Sequence, residues 1–318
     1  MTDLFTIAPL NDAMRAALAT DFTVHHVDDM DDPIAWLAQN GAGIAYALTD
    51  GHYGIAPAYL AGLPDLKLVS SNGVGYDAID TDAALARGVM VTHTPSVLDQ
   101  EVATTALMLL IACYRNFPAE VAQATTGAWA SNGNLPLARS VDNRKIGILG
   151  LGRIGQAIAA KLAPFNPEIL YTGRTKKDVP FRFVPDLTAM AAEVDALICI
   201  APGGAATQHL VNADVLNALG PDGILINVGR GSVVDETALI TALQSGKLGG
   251  AGLDVFENEP HIPDALRAMP NVVLTPHIGS ATVETRAAMA QLAIDNLRQH
   301  RKDGTVLTLV PECAPLAT

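Results

Sequence analysis

Lys145-Ile-Gly-Ile-Leu149-Gly150-Leu-Gly152-Arg153-Ile154-Gly155-Gln-Ala-Ile-Ala-Ala-Lys161 is the stretch on which the reading of this chain turns. An apolar strand pattern over 145–149 runs into three glycines spaced G-x-G-x-x-G, and a helix pattern opens directly behind them. Each glycine has its own job in such a turn. The first allows the tight reversal, the second lets a pyrophosphate approach the backbone, and the third lets helix and strand pack closely. The N–H groups of the helix start then face an anion. A purely structural glycine turn shares the spacing, but here the motif heads a βα series, which points to dinucleotide binding through Gly150, Gly152, Arg153, Ile154 and Gly155. Arg153 is expected to place its charge beside the phosphates.

The end of the following strand, predicted over 168–172, selects between the two nicotinamide dinucleotides. A carboxylate there holds a ribose 2′-hydroxyl and repels a 2′-phosphate, whereas an arginine accepts that phosphate through its planar fork. The residues are Tyr171-Thr-Gly173-Arg174-Thr175-Lys176-Lys177, with no acid. Gly173, Arg174 and Thr175 are therefore the expected 2′-phosphate site, Lys176 and Lys177 add positive field, and NADP(H) is expected over NAD(H).

Downstream the alternation continues, with strands expected over 195–200, 223–228, 251–255 and 271–275 and helices over 154–163, 212–219 and 235–245. Upstream, apolar runs at 4–8, 23–27, 43–48, 66–70 and 89–92 alternate with helix patterns at 10–20 and 32–39, a second parallel-sheet signature. A long apolar helix pattern at 98–115 joins the two series, followed by a segment at 126–143 without clear periodicity, read as an arm. A last helix pattern spans 283–299, and the tail behind it fits either half.

The chain has 318 residues, which suggests two domains at roughly 100–200 residues each. Hydrophobic residues make up 49% and charged residues 17%, enough for real cores and too little charge for disorder. The net charge of −13 argues against nucleic acid and anionic membranes as partners. Three cysteines, Cys113, Cys199 and Cys313, lack metal-ligand spacing and read as reduced packing residues. No metal site is expected. With no basic n-region and no apolar run near the roughly 20 residues of a membrane span, a cytoplasmic location is expected.

Three segments at predicted strand ends carry the polar groups that chemistry needs: Asn227-Val-Gly-Arg230-Gly, Asp254-Val-Phe-Glu257-Asn-Glu259-Pro and Thr275-Pro-His277-Ile-Gly-Ser280. Ligands of doubly wound sheets bind at carboxyl strand ends, so these segments are expected to converge. A histidine serves as proton donor near neutral pH, a carboxylate on its other ring nitrogen fixes the tautomer, and an arginine grips a carboxylate while polarising a neighbouring carbonyl. His277, Glu259 and Arg230 in those roles suit reduction of a 2-keto acid.

The order GLGRIG, INVGRG, AGLDVFENEP and TPHIGS, preceded by SNGVGYDAID at 71–80 and HTPSVL at 93–98, resembles the D-isomer-specific 2-hydroxyacid dehydrogenase family, and the YTGRT strand end resembles its NADPH-dependent glyoxylate/hydroxypyruvate reductase branch. The resemblance implies two doubly wound, parallel-sheet α/β domains. A cofactor domain of residues 99–285 would be inserted into a flavodoxin-like substrate domain of 1–98 and 286–318. It assigns catalysis to Arg230, Glu259 and His277, and substrate binding to the Val74 and Gly75 amides with Arg230 and His277. It further places Pro202, Thr207, Val228, Asp254, His277, Gly279 and Ser280 around the cofactor, Asp254 by the nicotinamide amide. The arm at 98–140, with Trp129, resembles the family's dimer-forming segment, so a homodimer is implied. The implied reaction reduces glyoxylate or hydroxypyruvate to a D-2-hydroxy acid. A bulkier substrate, phenylpyruvate or a 2-keto sugar acid, and a non-catalytic dinucleotide-sensing protein are the alternatives, and the intact Arg230, Glu259 and His277 set speaks against the last.

Overall fold

The computed structural model describes residues 1–317. The chain divides into two compact units, one of Met1–Leu98 together with the chain from Thr282 onward, the other of Asp99–Ala281. The second junction falls where a helix is capped: the Thr282 side chain accepts the Thr285 N–H at the start of helix Val283–Asp303, so the cap goes with its helix.

The first unit holds β1 (Thr2–Thr6), β2 (Phe22–His26), β3 (Tyr46–Thr49), β4 (Leu68–Ser71) and β5 (Met90–Thr92), all parallel in the order β2-β1-β3-β4-β5. Residues along a strand alternate between faces, and here both faces are apolar. Phe5, Ala47, Val69 and Val91 pack on one side with Leu37, Leu60 and Leu63 from the helices and with Val310 and Cys313 from the tail. Leu4, Leu48 and Leu68 pack on the other with Leu18, Phe22 and with Ala293, Ile294 and Leu297 of helix Val283–Asp303. A bridge from Thr92 to Leu309 confirms where the tail goes. It closes the N-terminal unit, a placement that the apolar pattern of the tail alone leaves open.

The second unit holds β6 (Lys145–Leu149), β7 (Glu168–Thr172), β8 (Arg182–Phe183), β9 (Ala196–Cys199), β10 (Ile224–Asn227), β11 (Gly250–Leu253) and β12 (Val272–Leu274), parallel in the order β12-β11-β10-β9-β6-β7-β8. The chain runs outward from β6 through β7 to β8, then returns to β9 on the other side of β6. The strand order therefore reverses between β6 and β9, the crevice at which doubly wound sheets bind ligands. Two parallel α/β sheets are the fold class that the motifs imply.

Several short elements escape the sequence reading: helices Pro57–Gly62, Thr81–Ala86 and Leu187–Ala191, and the two-residue β8. Six or fewer residues bury only one or two side chains, too few to print a period. The segment at 126–143, read as an arm without periodicity, contains helix Ala128–Asn132, and helix Phe117–Thr125 precedes it where the sequence reading assigns no element; neither buries a side chain, so neither shows an apolar stripe. All three cysteines are free, and burial pushes the Cys113 and Cys199 thiols up to about 12. Among the described residues, no single helix is long and apolar enough to cross a membrane.

Candidate active site

The glycine turn after β6 has three distinct environments. Gly150 has a φ of +99°, which L side chains rarely adopt, and its N–H donates to the Thr172 carbonyl at 3.0 Å, tying the turn to the end of β7. A Cβ on Gly155 would fall 2.3 Å from the Gly150 carbonyl oxygen, so helix Arg153–Leu162 sits this close only with glycine there. At Gly152 a Cβ would meet nothing within 4 Å, and no side chain caps the helix that Gly152 starts. Close approach is needed at two of the glycines, while the third leaves open space over the first N–H groups of a helix, Arg153 and Ile154 among them. That arrangement fits a pyrophosphate.

Arg153 carries an ion pair that the sequence reading does not assign. Its Nε donates to Asp99 Oδ2 at 3.1 Å, and Asp99 is largely buried at the start of helix Asp99–Tyr114. This acid engages the Nε edge of the guanidinium, whose side chain stays 51% exposed. Further cationic surface lies beyond β7, where Gly173, Arg174, Thr175, Lys176 and Lys177 are all exposed. The first carboxylate after the strand is Asp178. In the loop beyond β9, the Thr207 hydroxyl donates to the Pro202 carbonyl at 2.7 Å and lies 3.1 Å from that of Gly204, closing a compact turn. Val228, at the end of β10, is buried and bonded to β9 through its N–H and the Cys199 carbonyl at 3.1 Å.

The three polar segments do converge at the carboxyl ends of β10, β11 and β12. Asn227, 1% exposed, builds the turn that presents Arg230: its Oδ1 accepts the Gly229 N–H at 3.2 Å and its Nδ2 donates to the Arg230 carbonyl at 3.0 Å. Gly231 has no room for a Cβ, which would lie 2.0 Å from the Phe256 carbonyl carbon. The arginine turn is thereby pressed onto the segment that holds Glu259. Arg230 itself is half-buried, with Nη1 donating to the Gly229 carbonyl at 2.9 Å.

Asp254 is 1% exposed and organises the histidine turn. Its Oδ1 accepts from the Thr275 hydroxyl at 2.6 Å and the Ile278 N–H at 2.8 Å, and its Oδ2 accepts the Gly279 N–H at 2.8 Å. Burial pushes its carboxyl above the ordinary range, while the Thr275 hydroxyl and the Ile278 N–H pull against that rise. Around this anchor His277 takes a left-handed backbone, φ +53°, with its N–H on the Asp254 carbonyl at 2.9 Å. A non-glycine residue in that region persists only where its surroundings over-determine it. The ring is held in turn: Nδ1 lies 2.7 Å from Glu259 Oε2, and Glu259 Oε1 accepts the Phe256 N–H at 3.0 Å. Glu259 is mostly covered, while His277 remains 42% exposed, so the pair has one sheltered member and one that solutes can reach. Ser280 follows half-buried.

Val74 and Gly75 belong to the other unit, half-buried in the loop after β4. The Val74 carbonyl lies 3.1 Å from His93 Nδ1, and the Gly73 carbonyl accepts the Thr94 N–H at 2.8 Å.

Asp99, Asn227 and Thr275 act on this site through contacts that sequence reasoning did not assign. For Asn227 and Thr275 a signal exists: each is a polar residue at the carboxyl end of an apolar strand, where its side chain has work to do or would not be tolerated. Asp99 carries no such mark, because its partner is 54 residues away.

Residues 107–279 match the family model described as D-isomer specific 2-hydroxyacid dehydrogenase, NAD binding domain. The chain is 40% identical over 309 residues to 2-ketogluconate reductase of Gluconobacter oxydans, covering 97% of this chain and 98% of that protein. It is 41% identical over 297 residues to glyoxylate/hydroxypyruvate reductase B of Shigella boydii, covering 91% of each. Among solved structures, the NADPH-dependent glyoxylate/hydroxypyruvate reductase of Sinorhizobium meliloti, in complex with NADP and malonate, matches with a TM-score of 0.93 and 43% identity over 98% of this chain and 97% of that one. With a nicotinamide dinucleotide fold, a buttressed histidine–carboxylate pair and relatives of this kind along nearly its whole length, the chain belongs to the D-isomer specific 2-hydroxyacid dehydrogenase family.

Proposed function

We propose that the protein is an NADPH-dependent reductase of small 2-keto acids, glyoxylate and hydroxypyruvate, that yields D-2-hydroxy acids. The observation that carries the reading is the 2.7 Å contact between His277 Nδ1 and Glu259 Oε2 in the unit that also presents Arg230 and the glycine turn. The bound dinucleotide supplies the hydride. Around it, the helix start at Gly152–Gly155 holds the pyrophosphate, and Arg174 with the Thr175 hydroxyl holds the 2′-phosphate, in a stretch without a competing acid. Pro202, Thr207, Val228, Gly279 and Ser280 line its remaining surface.

His277 keeps a proton on Nε2 and gives it to the carbonyl oxygen, because Glu259 occupies Nδ1 and fixes the ring. Arg230 grips the substrate carboxylate and draws electron density from the adjacent carbonyl. The amides of Val74 and Gly75, in the loop after β4, are further candidates for substrate binding. Asp254 we read chiefly as the residue that shapes the His277 turn, since both its oxygens already accept hydrogen bonds. The reading is tested by following nicotinamide absorbance with glyoxylate or hydroxypyruvate and NADPH. No turnover with either acid overturns it.

A second substrate class, 2-keto sugar acids, draws support from the loop after β3. The Asp50 carboxylate accepts the His52 and Tyr53 N–H groups at 2.9 and 2.8 Å, which leaves both side chains exposed, and a Cβ on Gly73 would lie 3.5 Å from the Gly51 nitrogen, beside the Val74 loop. Polar aromatic groups at that point suit a longer, hydroxylated chain. Ranking a panel of 2-keto acids by kcat/KM separates the two classes. We further infer a cytoplasmic homodimer built on the arm at 98–140, where Phe117, Val121, Trp129 and Leu137 are exposed apolar side chains.

A further inference from the structure

The basic turn after β7 carries the proposed 2′-phosphate ligands, yet it has almost no packing of its own. Gly173 through Lys177 are exposed, and a Cβ on Gly173 would meet nothing within 4 Å. One buried residue reaches across it. Tyr171 lies on β7, 1% exposed, with its ring 5.2 Å from that of Phe183 on β8. Its hydroxyl accepts the Lys177 N–H at 2.8 Å and lies 3.3 Å from the Lys177 carbonyl oxygen, to which it donates. Both backbone groups of Lys177 thus meet one phenol, and the loop between strand end and Lys177 is closed at its far side. The near side is pinned by the Gly150 N–H on the Thr172 carbonyl at 3.0 Å, which joins this loop to the pyrophosphate turn.

We propose that Tyr171 is a positioning residue for cofactor choice: its hydroxyl pre-orders the turn so that Arg174 and Thr175 stand ready for a 2′-phosphate, and it raises the preference for NADPH over NADH without touching the cofactor. The inference rests on the reading that Arg174 takes the 2′-phosphate. The physical basis is preorganisation. A loop of exposed residues that must be ordered by its ligand gives up binding free energy to do so, and a clamp present beforehand removes that loss. Only the dinucleotide with the extra phosphate uses the loop, so only its binding gains.

Tyr171→Phe deletes the hydroxyl and keeps the buried ring, so the strand and its packing survive. The expected result is a rise of about three- to tenfold in KM for NADPH, the scale of one or two net hydrogen bonds. kcat at saturating NADPH should be retained, and kcat/KM for NADH unchanged. Inhibition by adenosine 2′,5′-bisphosphate should weaken by the same factor, while inhibition by 5′-AMP stays constant. A generally loosened fold would move both cofactors and both nucleotides together, and that outcome overturns the proposal. Arg174→Ala is run in parallel. If it lowers the NADPH preference and Tyr171→Phe does not, the clamp is wrong and the phosphate reading stands. If Arg174→Ala leaves the preference intact, the phosphate reading fails and the clamp falls with it. In the double variant the two losses should not add, since the hydroxyl acts through Arg174.

Discussion

His277 Nδ1 lies 2.7 Å from Oε2 of Glu259, and the other oxygen of that carboxylate is held by the Phe256 N–H at 3.0 Å. The carboxylate is fixed from behind by its own chain, so it in turn fixes the ring. Replacing His277 by Ala should lower kcat by about 10²–10⁴-fold, roughly 3–5 kcal/mol of barrier, the contribution of a positioned proton donor. Glu259→Gln keeps an acceptor for Phe256 but loses the charge, and a fall of about ten- to a hundredfold is expected, the scale of one charge-assisted hydrogen bond. Steady-state kinetics on folded variants, checked by circular dichroism, decide both.

The glycine turn predicts opposite outcomes for two look-alike substitutions. Gly155→Ala puts a methyl 2.3 Å from the Gly150 carbonyl oxygen, so helix and strand must separate, and the thermal midpoint should drop by several degrees. Gly152→Ala meets open space and should leave the midpoint near wild type, yet raise KM for the dinucleotide at least tenfold as the methyl enters the pyrophosphate position. Melting curves and cofactor titrations separate the two.

Asp254→Asn removes one acceptor from a buried cluster. The amide oxygen can serve Thr275 and Ile278, but the Gly279 N–H then faces an NH₂ group. A loss of about 1–3 kcal/mol in stability is expected for that orphaned donor. Because the same bonds hold His277 in its left-handed conformation, kcat should fall as well, measured against denaturant unfolding of the same samples.

In the N-terminal unit, Asp21 sits between Arg301 and Arg298 of helix Val283–Asp303, with oxygens 2.6 and 2.7 Å from their nitrogens. The Arg301 bond first and the Arg298 bond second hold its carboxyl at about 2, below its ordinary value of 3.8. A depressed carboxylate stabilises the folded state fully above the unfolded value, and that contribution is lost as pH falls from about 4 towards about 2. The thermal midpoint of Asp21→Asn should lie below wild type at pH 6 by an amount that shrinks on acidification through this window. A gap that stays constant with pH would assign the effect to packing.

Trp129 is 63% exposed and Leu137 fully exposed on the arm. If a second copy covers them, Trp129→Asp with Leu137→Asp should shift the protein to monomer in sedimentation velocity, with each monomer still folded. An unchanged sedimentation coefficient would remove this face as the dimer contact.

The fold was legible because period and punctuation agree: apolar runs of four to six residues, Gly and Pro between them, and one glycine turn that only a strand-to-helix junction explains. The candidate site was legible where its residues are local in sequence, as with the glycine turn at Gly150–Gly155, or where a rare residue type stands at a strand end, as with Arg230 and His277. What stayed hidden is pairing. Nothing in the string of residues joins Arg153 to Asp99, whose carboxylate on another helix accepts from its Nε.

The sequence by itself determined the parallel α/β class, the strand-end placement of the candidate catalytic groups and the absence of an acid after β7. Those properties depend on local spacing and residue type. Only the tertiary structure decided that the tail bridges to β5 through Thr92 and Leu309, that Asp254 gathers Thr275, Ile278 and Gly279 around the His277 turn, and that the Tyr171 hydroxyl clamps Lys177. Each is a contact set by how strands and helices stack, and a hydrogen bond with a reach of about 3 Å exists only once that stacking has brought its two ends together.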